Sequence, residues 1–138
     1  MKYIQTLKNK KEFDFVYKNS KKYRSQICDI CILDAKTINK FYNKFKKVQK
    51  THTIGLSISK KIGNAVERNL VKRRLRVICK EFLIGINHKQ TKYIFIIITK
   101  NEIIKTSFSN LKEQIYNQLL LTNKQDANKQ NGRINDKN

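Results

Sequence analysis

The sequence has few acidic residues for its size: 10 Asp and Glu stand against 31 Lys and Arg, which gives a formal net charge of +21 over 138 residues. Enrichment in Lys alone would leave the acids in place, so compositional drift does not explain this imbalance. Residues 122–138 hold four basic and two acidic residues, and the charge therefore lies almost entirely on residues 1–121. Such a charge predicts a polyanionic partner.

Residues that commonly carry catalysis are also scarce. The carboxylates show no D-x-D or paired spacing, and the only imidazoles are His52 and His88. The four glycines do not form a phosphate-binding loop. We therefore expect no catalytic residue and no nuclease centre built from protein side chains alone.

Long apolar runs are missing. The longest, residues 93–98, is far shorter than the roughly 20 residues of a spanning helix. The segment MKYIQTLKNKKEF has no apolar core of the kind found in export signals. We expect a soluble, cytoplasmic protein without membrane contact.

Cysteine is limited to Cys28, Cys31 and Cys79, an odd number that cannot pair completely. With His88 they could supply four zinc-type ligands. However, QICDICIL is typical of a strand, in which side chains three positions apart point to opposite faces. Buried thiols are favoured, and no metal site is predicted.

Hydrophobic periodicity and capping residues divide the chain into elements. Asn9 with Glu12, and Asn64 with Glu67, have the spacing of capping boxes at two helix starts. The predicted elements are helix 10–19, strand 26–33, a basic loop or loose hairpin at 36–50, strand 53–59, helix 64–82, strand 92–99, and a last helix carrying Phe108, Leu111, Ile115 and Leu119.

This order predicts an α+β fold, an α/β sandwich in which helices are layered on a central sheet. The order of elements is α-β-β-β-α-β-α if the loose hairpin at 36–50 contributes a strand. We expect one RNA-binding domain over residues 1–121. Residues 122–138 have the composition of a disordered polar tail.

The segment KKIGNAVERNLVKRRLR, residues 60–76, carries the strongest functional pattern. On a helix, one arc holds cations at i+4 spacing, with an amide among them, and the adjoining arc is apolar. The polar arc comprises Arg68, Asn69, Lys72, Arg73, Arg76 and Lys80, and the apolar arc Val71, Leu75, Ile78 and Phe82. An ordinary solvated face would mix in acids to relieve the repulsion, so the array favours phosphate binding. Arg, Lys and Asn together favour a nucleic acid over a small anion.

The motif GLSISKKIGNAVERNLVKRRLR at 55–76 resembles the signature of the bacterial ribonuclease P protein subunit family, G-L-S-[VI]-S-K-K-x-G-[NK]-A-V-x-R-N followed by x-x-K-R-x-x-R. The segment LKNKKEFDFVYKNSKKY also resembles the family's first helix. The resemblance covers roughly residues 5–121 and is densest over 54–82.

The resemblance implies an α/β sandwich with a left-handed β-α-β crossover, an exception to the usual hand. It implies a subunit of an endoribonuclease in which a large catalytic RNA, with Mg²⁺ bound mainly by that RNA, removes the 5′ leader of precursor tRNA. No obligate protein partner is implied. Carried over by position, the RNA-binding residues are Lys60, Lys61, Asn64, Arg68, Asn69, Lys72, Arg73 and Arg76, and the aromatic wall of the leader cleft is Phe13 and Tyr17.

The chain departs from the family pattern at three places. Leu70 replaces a frequent third Arg, Cys31 stands where a cleft aromatic is common, and residues 35–50 form a longer connection. Two other interpretations stay open at this point: a ribosomal or other structural RNA-binding protein, and a DNA-binding domain with its cationic helix in a major groove.

Overall fold

The structure, a computed structural model, describes residues 4–46, 52–85 and 92–135, and for 122–135 it describes the backbone alone. The strands are β1 (Ile4–Thr6), β2 (Lys21–Arg24), β3 (Cys28–Ile32), β4 (His52–Ser57) and β5 (Ile94–Thr99). The helices are α1 (Lys10–Asn19), α2 (Ala35–Lys44), α3 (Ala65–Gly85) and α4 (Phe108–Asn135), with short 3-10 helices at Lys60–Ile62 and Asn101–Lys105. None of the described helices combines the length and apolar character needed to cross a bilayer.

The five strands form one sheet in the order β1-β4-β5-β3-β2. β4 lies parallel to both β1 and β5, whereas β3 is antiparallel to β5 and β2. α3 connects the adjacent parallel strands β4 and β5, which confirms the predicted β-α-β unit. The left-handed sense of this crossover stays a prediction.

Helices cover both faces of the sheet, so the predicted α+β layering is confirmed. On one face, side chains of α3 and α4 pack with Phe95 and Ile97 of β5. On the other, α1 and α2 pack with Ile94 and Ile96 of the same strand. The continuous apolar run of β5 therefore reflects a strand buried on both sides.

The two predicted capping sites are both present. The Asn9 side chain accepts a hydrogen bond of 3.0 Å from the Glu12 amide, and the Glu12 carboxylate accepts one of 2.8 Å from the amide of Lys8. At α3 the box is reciprocal, since Asn64 accepts from the Glu67 amide at 2.8 Å and Glu67 accepts from the Asn64 amide at 2.9 Å. Local sequence thus fixes where both helices begin.

The prediction of a loop or hairpin at 36–50 was wrong for its first part, which is helix α2. The Asp34 side chain caps it by accepting a hydrogen bond of 2.9 Å from the Thr37 amide, an interaction that lowers the pKa of Asp34. Ile38, Phe41 and Tyr42 are buried under the helix, at spacings that an α-helix places on one side. Residues 47–50 lie outside the described residues.

Two short strands were absent from the sequence prediction. β1 has three residues, and β2 is the Lys-rich segment KKYR with alternate residues exposed. Both lie at the edges of the sheet. Edge strands are commonly short or charged, so neither carries the apolar pattern that identifies an interior strand.

The last helix extends further than its apolar repeat. Leu111, Ile115 and Leu119 are buried, as predicted, but the backbone stays helical to Asn135. This differs from the predicted disorder of residues 122–135. The segment contains no Pro, and Ala, Gln and Lys within it have good helix propensity. The predicted division into a domain over 1–121 and a separate tail stays a prediction.

Gly55 lies where β4 passes closest to α1. A Cβ atom at this position would lie 2.7 Å from Leu7 Cδ1 and 2.9 Å from Phe13 Cε1. Both distances are shorter than a van der Waals contact, so the absence of a side chain lets Phe13 rest directly on the strand.

We predict that Gly55→Ala lowers the free energy of unfolding by about 1–3 kcal/mol, because Leu7 and Phe13 must shift to admit the methyl group. The matched control is Gly85→Ala, where nothing lies within 4 Å of the added atom. Denaturant titration of both variants measures the difference. Equal stability of Gly55→Ala and the parent would show that the close packing at Gly55 does not contribute to the free energy of unfolding.

His52, at the start of β4, is buried and electrically neutral. Its Nδ1 accepts a hydrogen bond of 3.0 Å from the Tyr93 amide, so that nitrogen carries no proton. Burial, with a smaller contribution from the positive charge of Lys92, lowers the pKa of His52 from 6.5 to about 4. Folding therefore favours the unprotonated imidazole.

This shift predicts that stability falls as the pH is lowered from 6.5 toward about 4. In that window the unfolded chain binds a proton at His52 and the folded chain does not, and the loss should total about 3 kcal/mol. His52→Gln removes the titration, so the stability difference between parent and variant should change with pH over the same window. Parallel stability curves, measured by urea unfolding at several pH values, would contradict the assignment.

Candidate RNA-binding surface

Helix α3 presents an apolar side to the sheet and a cationic side to solvent. Its buried residues are Val71, Leu75, Ile78, Cys79, Phe82 and Leu83. We call the adjoining polar arc the cationic stripe, defined as Arg68, Asn69, Lys72, Arg73, Arg76 and Lys80; all are exposed except Arg68, which is half-buried. The two arcs predicted from helical spacing are confirmed as the buried and solvent-facing sides of one helix.

The acids nearest to the cationic stripe in sequence are engaged elsewhere. Glu67 takes part in the capping box of α3. Glu81 forms an ion pair of 3.1 Å with Lys112 of α4. Among the residues that the structure describes, no carboxylate forms an ion pair with the stripe. Its positive charge is therefore not neutralised within the described protein.

The turn before α3 fixes the first cation of the stripe. Gly63 is packed so closely that an added Cβ would lie 2.6 Å from both Glu67 Oε1 and Ile104 Cδ1. Arg68 Nη1 donates a hydrogen bond of 2.6 Å to the Gly63 carbonyl. The Arg68 guanidinium is thus held against a tightly packed turn.

The other predicted RNA-binding residues precede the helix. Lys60 and Lys61 are exposed in the 3-10 helix that follows β4, and Ser59 caps this short helix by accepting from the Lys61 amide at 3.1 Å. Asn64 is exposed at the start of α3. The structure thus places these three residues on the segment that leads directly into α3.

A pocket opens between the end of β4 and the cationic stripe. It has a volume of about 320 Å³ and is lined by Leu56, Ile58, Arg68, Asn69 and Lys72. The alternation of apolar and polar residues over 53–59 puts Leu56 and Ile58 on the apolar face of the predicted strand, the face expected to be buried. The structure instead leaves both half-exposed at the strand end, beside the predicted RNA-binding residues. Alternation along the strand identified their face but not their exposure.

The predicted cleft aromatics lie on the other face of the sheet. Phe13 and Tyr17, one turn apart on α1, have ring centroids 6.2 Å apart, and Tyr17 is 38% exposed. Phe13 belongs to the α1 and α2 side of the core. The structure brings these two rings together but separates them from the cationic stripe by the thickness of the sheet.

The three departures from the family pattern have different surroundings. Leu70 is half-buried in α3. Cys31 is fully buried on the α1 and α2 face. The longer connection is largely the helix α2, and Phe15 of α1 packs edge to face with Phe41 of α2 at 5.7 Å.

The cysteines are free, buried and unsuited to share a metal ion. Cys28 and Cys31 belong to the cores on opposite faces of the sheet. Burial raises the pKa of Cys28 to about 11 and that of Cys79 to about 12, which disfavours the thiolate that binds metals. His88 lies outside the described residues. Within the described part of the chain, no three potential ligands lie together.

Most described carboxylates have structural partners. Glu12, Asp34 and Glu67 accept hydrogen bonds at helix starts. Asp29 forms an ion pair of 3.0 Å with Lys100, and Glu81 forms one of 3.1 Å with Lys112. Five of the described carboxylates are thus engaged in contacts that stabilise the fold.

Comparisons with known proteins give a consistent result. The model of the family described as Ribonuclease P matches residues 1–123. A ribonuclease P protein component from Helicobacter hepaticus is 34% identical over 120 residues, covering 81% of this chain and 80% of that protein. One from Helicobacter acinonychis is 46% identical over 76 residues; the match covers 51% of this chain, which spans only half the length of that relative.

Solved structures share the fold at low sequence identity. The RNase P protein of Staphylococcus aureus matches with a TM-score of 0.64 and 20% identity, over 85% of this chain and 94% of that one. The RNase P protein of Thermotoga maritima matches with a TM-score of 0.60 and 16% identity, over 82% and 93% of the two chains. Together with the match of the family model to residues 1–123, these findings show that the chain belongs to the ribonuclease P protein family.

Proposed function

We propose that this chain is the protein subunit of a ribonuclease P ribonucleoprotein. It binds the catalytic RNA and the 5′ leader of precursor tRNA and thereby promotes 5′ maturation of tRNA. The observation that carries the proposal is the cationic stripe of α3, which is fixed by a buried apolar side and has no acidic partner among the described residues.

The stripe suits the backbone of a structured RNA. Arg68, Lys72 and Arg76 repeat every four residues, about 6 Å along the helix axis, so they present a row of donors to successive phosphates. Their mutual repulsion favours any polyanion that releases its counterions on binding. Asn69 and Arg73 add groups that hydrogen-bond to sugars, phosphates or base edges.

The aromatic pair on α1 supports contact with a single-stranded leader. Phe13 and Tyr17 lie one helical turn apart, and Tyr17 keeps part of its ring exposed. Aromatic rings stack on unpaired bases with little dependence on sequence. Since the pair lies on the face opposite α3, the protein can contact the leader and the catalytic RNA on separate surfaces.

The sequence shows no paired carboxylate spacing, and five of the described carboxylates cap helices or pair with Lys. We infer that Mg²⁺, held mainly by the RNA, would supply the metal-ion chemistry of the cleavage when it is bound. The described side chains offer no cluster of ligands for a resident metal ion, so no catalytic step is assigned to them. The role of the protein is binding and orientation.

The cationic stripe generates a prediction about salt dependence. Arg73→Ala and Arg76→Ala should each weaken binding to the catalytic RNA and reduce the slope of log K against log salt by up to about one, because each removes a phosphate contact. Both residues are exposed, so unfolding free energies should stay within about 0.5 kcal/mol of the parent. Filter binding at several salt concentrations measures the slope.

Two control variants separate charge from folding. Lys40→Ala removes an exposed cation from α2 on the opposite face of the sheet and should leave the slope unchanged. Leu75→Ala, at a fully buried position, should cost about 2–5 kcal/mol of stability and reduce binding only by unfolding the protein. If Lys40→Ala and Arg76→Ala reduced the slope equally, binding would follow net charge and the stripe would have no special role.

The proposal also predicts the requirements for cleavage. The isolated protein should not cleave precursor tRNA, because its sequence shows no paired carboxylates and five of its described carboxylates are engaged in helix caps or ion pairs. Added to its cognate catalytic RNA, it should support cleavage at a lower Mg²⁺ concentration than the RNA requires alone, since its cations supply part of the charge neutralisation. Cleavage is followed on end-labelled precursor tRNA across a Mg²⁺ titration. An unchanged Mg²⁺ requirement would favour a structural RNA-binding protein without a role in cleavage.

A further inference from the structure

The pocket between β4 and α3 combines two kinds of surface that phosphate binding alone does not need together. Its volume of about 320 Å³ is at the lower end of the roughly 300–1,000 Å³ typical of small-molecule sites. Two of its lining residues are aliphatic and three are polar. None of the five is an acid, so the pocket as a whole suits an anionic ligand with an apolar part.

The aliphatic part is formed by Leu56 and Ile58 at the end of β4. Both side chains pack against the core beneath and are half-exposed above. A phosphate gains nothing from aliphatic carbon, whereas a nucleobase buries its flat face against it. This part of the pocket therefore points to a base and not only to the RNA backbone.

Arg68 forms a rigid part of the pocket wall. Its Nη1 donates to the Gly63 carbonyl at 2.6 Å, and Gly63 itself is packed against the side chains of Glu67 and Ile104. A guanidinium held in this way loses little further freedom when a ligand binds. Its remaining donors and its planar surface are both suited to contact a base.

Asn69 and Lys72 are the other two polar residues that line the pocket. Asn69 is exposed, and its side-chain amide makes no hydrogen bond to the other described residues. An amide offers a donor and an acceptor side by side, the pattern that matches N6 and N7 of adenine. Lys72 supplies a point charge for the phosphate of the same nucleotide.

We propose that this pocket binds one unpaired nucleobase of the RNA that lies along the cationic stripe, with adenine preferred. The base lies on Leu56 and Ile58, Asn69 contacts its edge, and Lys72 contacts its phosphate. This inference rests on the proposed function, because the stripe brings the RNA to the pocket. It adds a defined site for one base to the contacts that the cationic stripe makes along the RNA.

The test uses three hairpin RNAs that share one stem: one with a single bulged adenosine, one with an abasic bulge, and one with no bulge. The parent protein should bind the adenosine bulge about tenfold more tightly than either of the others, as expected for one base stacked in a pocket. The abasic arm separates recognition of the base from recognition of a distorted backbone. A 2-aminopurine at the bulge should also change its fluorescence on binding.

Two variants change different parts of the pocket, its polar edge and its aliphatic surface. A fourth hairpin with a bulged uridine should bind the parent more weakly than the adenosine bulge, and Asn69→Ala, an exposed position where the net charge is unchanged, should reduce this preference. Ile58→Ser should reduce the preference for the adenosine bulge to less than about threefold, with affinity for the unbulged hairpin within about twofold of the parent. Ile84→Ser is the matched control, since Ile84 is exposed near the far end of α3. Thermal unfolding of each variant identifies any loss of folded protein.

The outcomes distinguish the pocket from the proposed function. Equal binding of all three hairpins by the parent would overturn the nucleobase site. In that case, stimulation of cleavage by the catalytic RNA would still support the proposed function. Conversely, a preference for the adenosine bulge without any stimulation of cleavage would retain the site and overturn the role in ribonuclease P.

Discussion

The structure depends on the packing of α3 against the sheet, because this packing holds a row of like charges in place. The three i+4 pairs from Arg68 to Lys80 repel one another by a few tenths of a kcal/mol each. Burial of the apolar side contributes about 1.5–3 kcal/mol for each large apolar side chain, and α3 buries several. Packing therefore outweighs repulsion, and the cations stay aligned when no RNA is bound. An isolated peptide with the sequence of α3 would carry the same charges but would lack the packing that holds them in place.

Most of the described acidic residues lie at positions where they stabilise the fold and do not neutralise the cationic stripe. The described carboxylates that form strong contacts lie at helix starts, where they satisfy backbone amides, or pair with Lys100 and Lys112. At helix starts a carboxylate also interacts favourably with the helix dipole. The few acids thus stabilise the fold without neutralising the surface that faces solvent on α3. A chain that must bind a polyanion gains from this distribution, since additional surface acids would weaken the attraction.

Sequence reasoning succeeded where local chemistry decides structure, and it failed where the context of the sheet decides. The capping residues before α1 and α3 and the apolar spacing within α3 are local signals, and the structure confirms all three. β2 reads as four polar residues, and it is a strand only because β3 offers a pairing edge. Helix α2 did carry a local signal in Asp34 and in the spacing of Ile38, Phe41 and Phe45. The abundance of Lys and Asn between these residues obscured it. The pocket could not be predicted, since the exposure of Leu56 and Ile58 depends on where α3 crosses the strand.

Strand β4 contributes to two candidate functional surfaces, the aromatic pair on α1 and the pocket beside the cationic stripe, because its side chains alternate between the two faces of the sheet. Gly55 faces α1, where it makes room for Phe13, and Leu56 faces α3, where it lines the pocket. Pairing with β5 fixes this register, with Gly55 opposite Ile96 and Leu56 opposite Ile97. A slip of one residue would place Leu56 under Phe13 and leave the pocket without its floor, so both surfaces would be lost together. The correct pairing of one buried strand is therefore a shared requirement for the aromatic pair and the pocket beside the cationic stripe, although the two lie on opposite faces of the sheet.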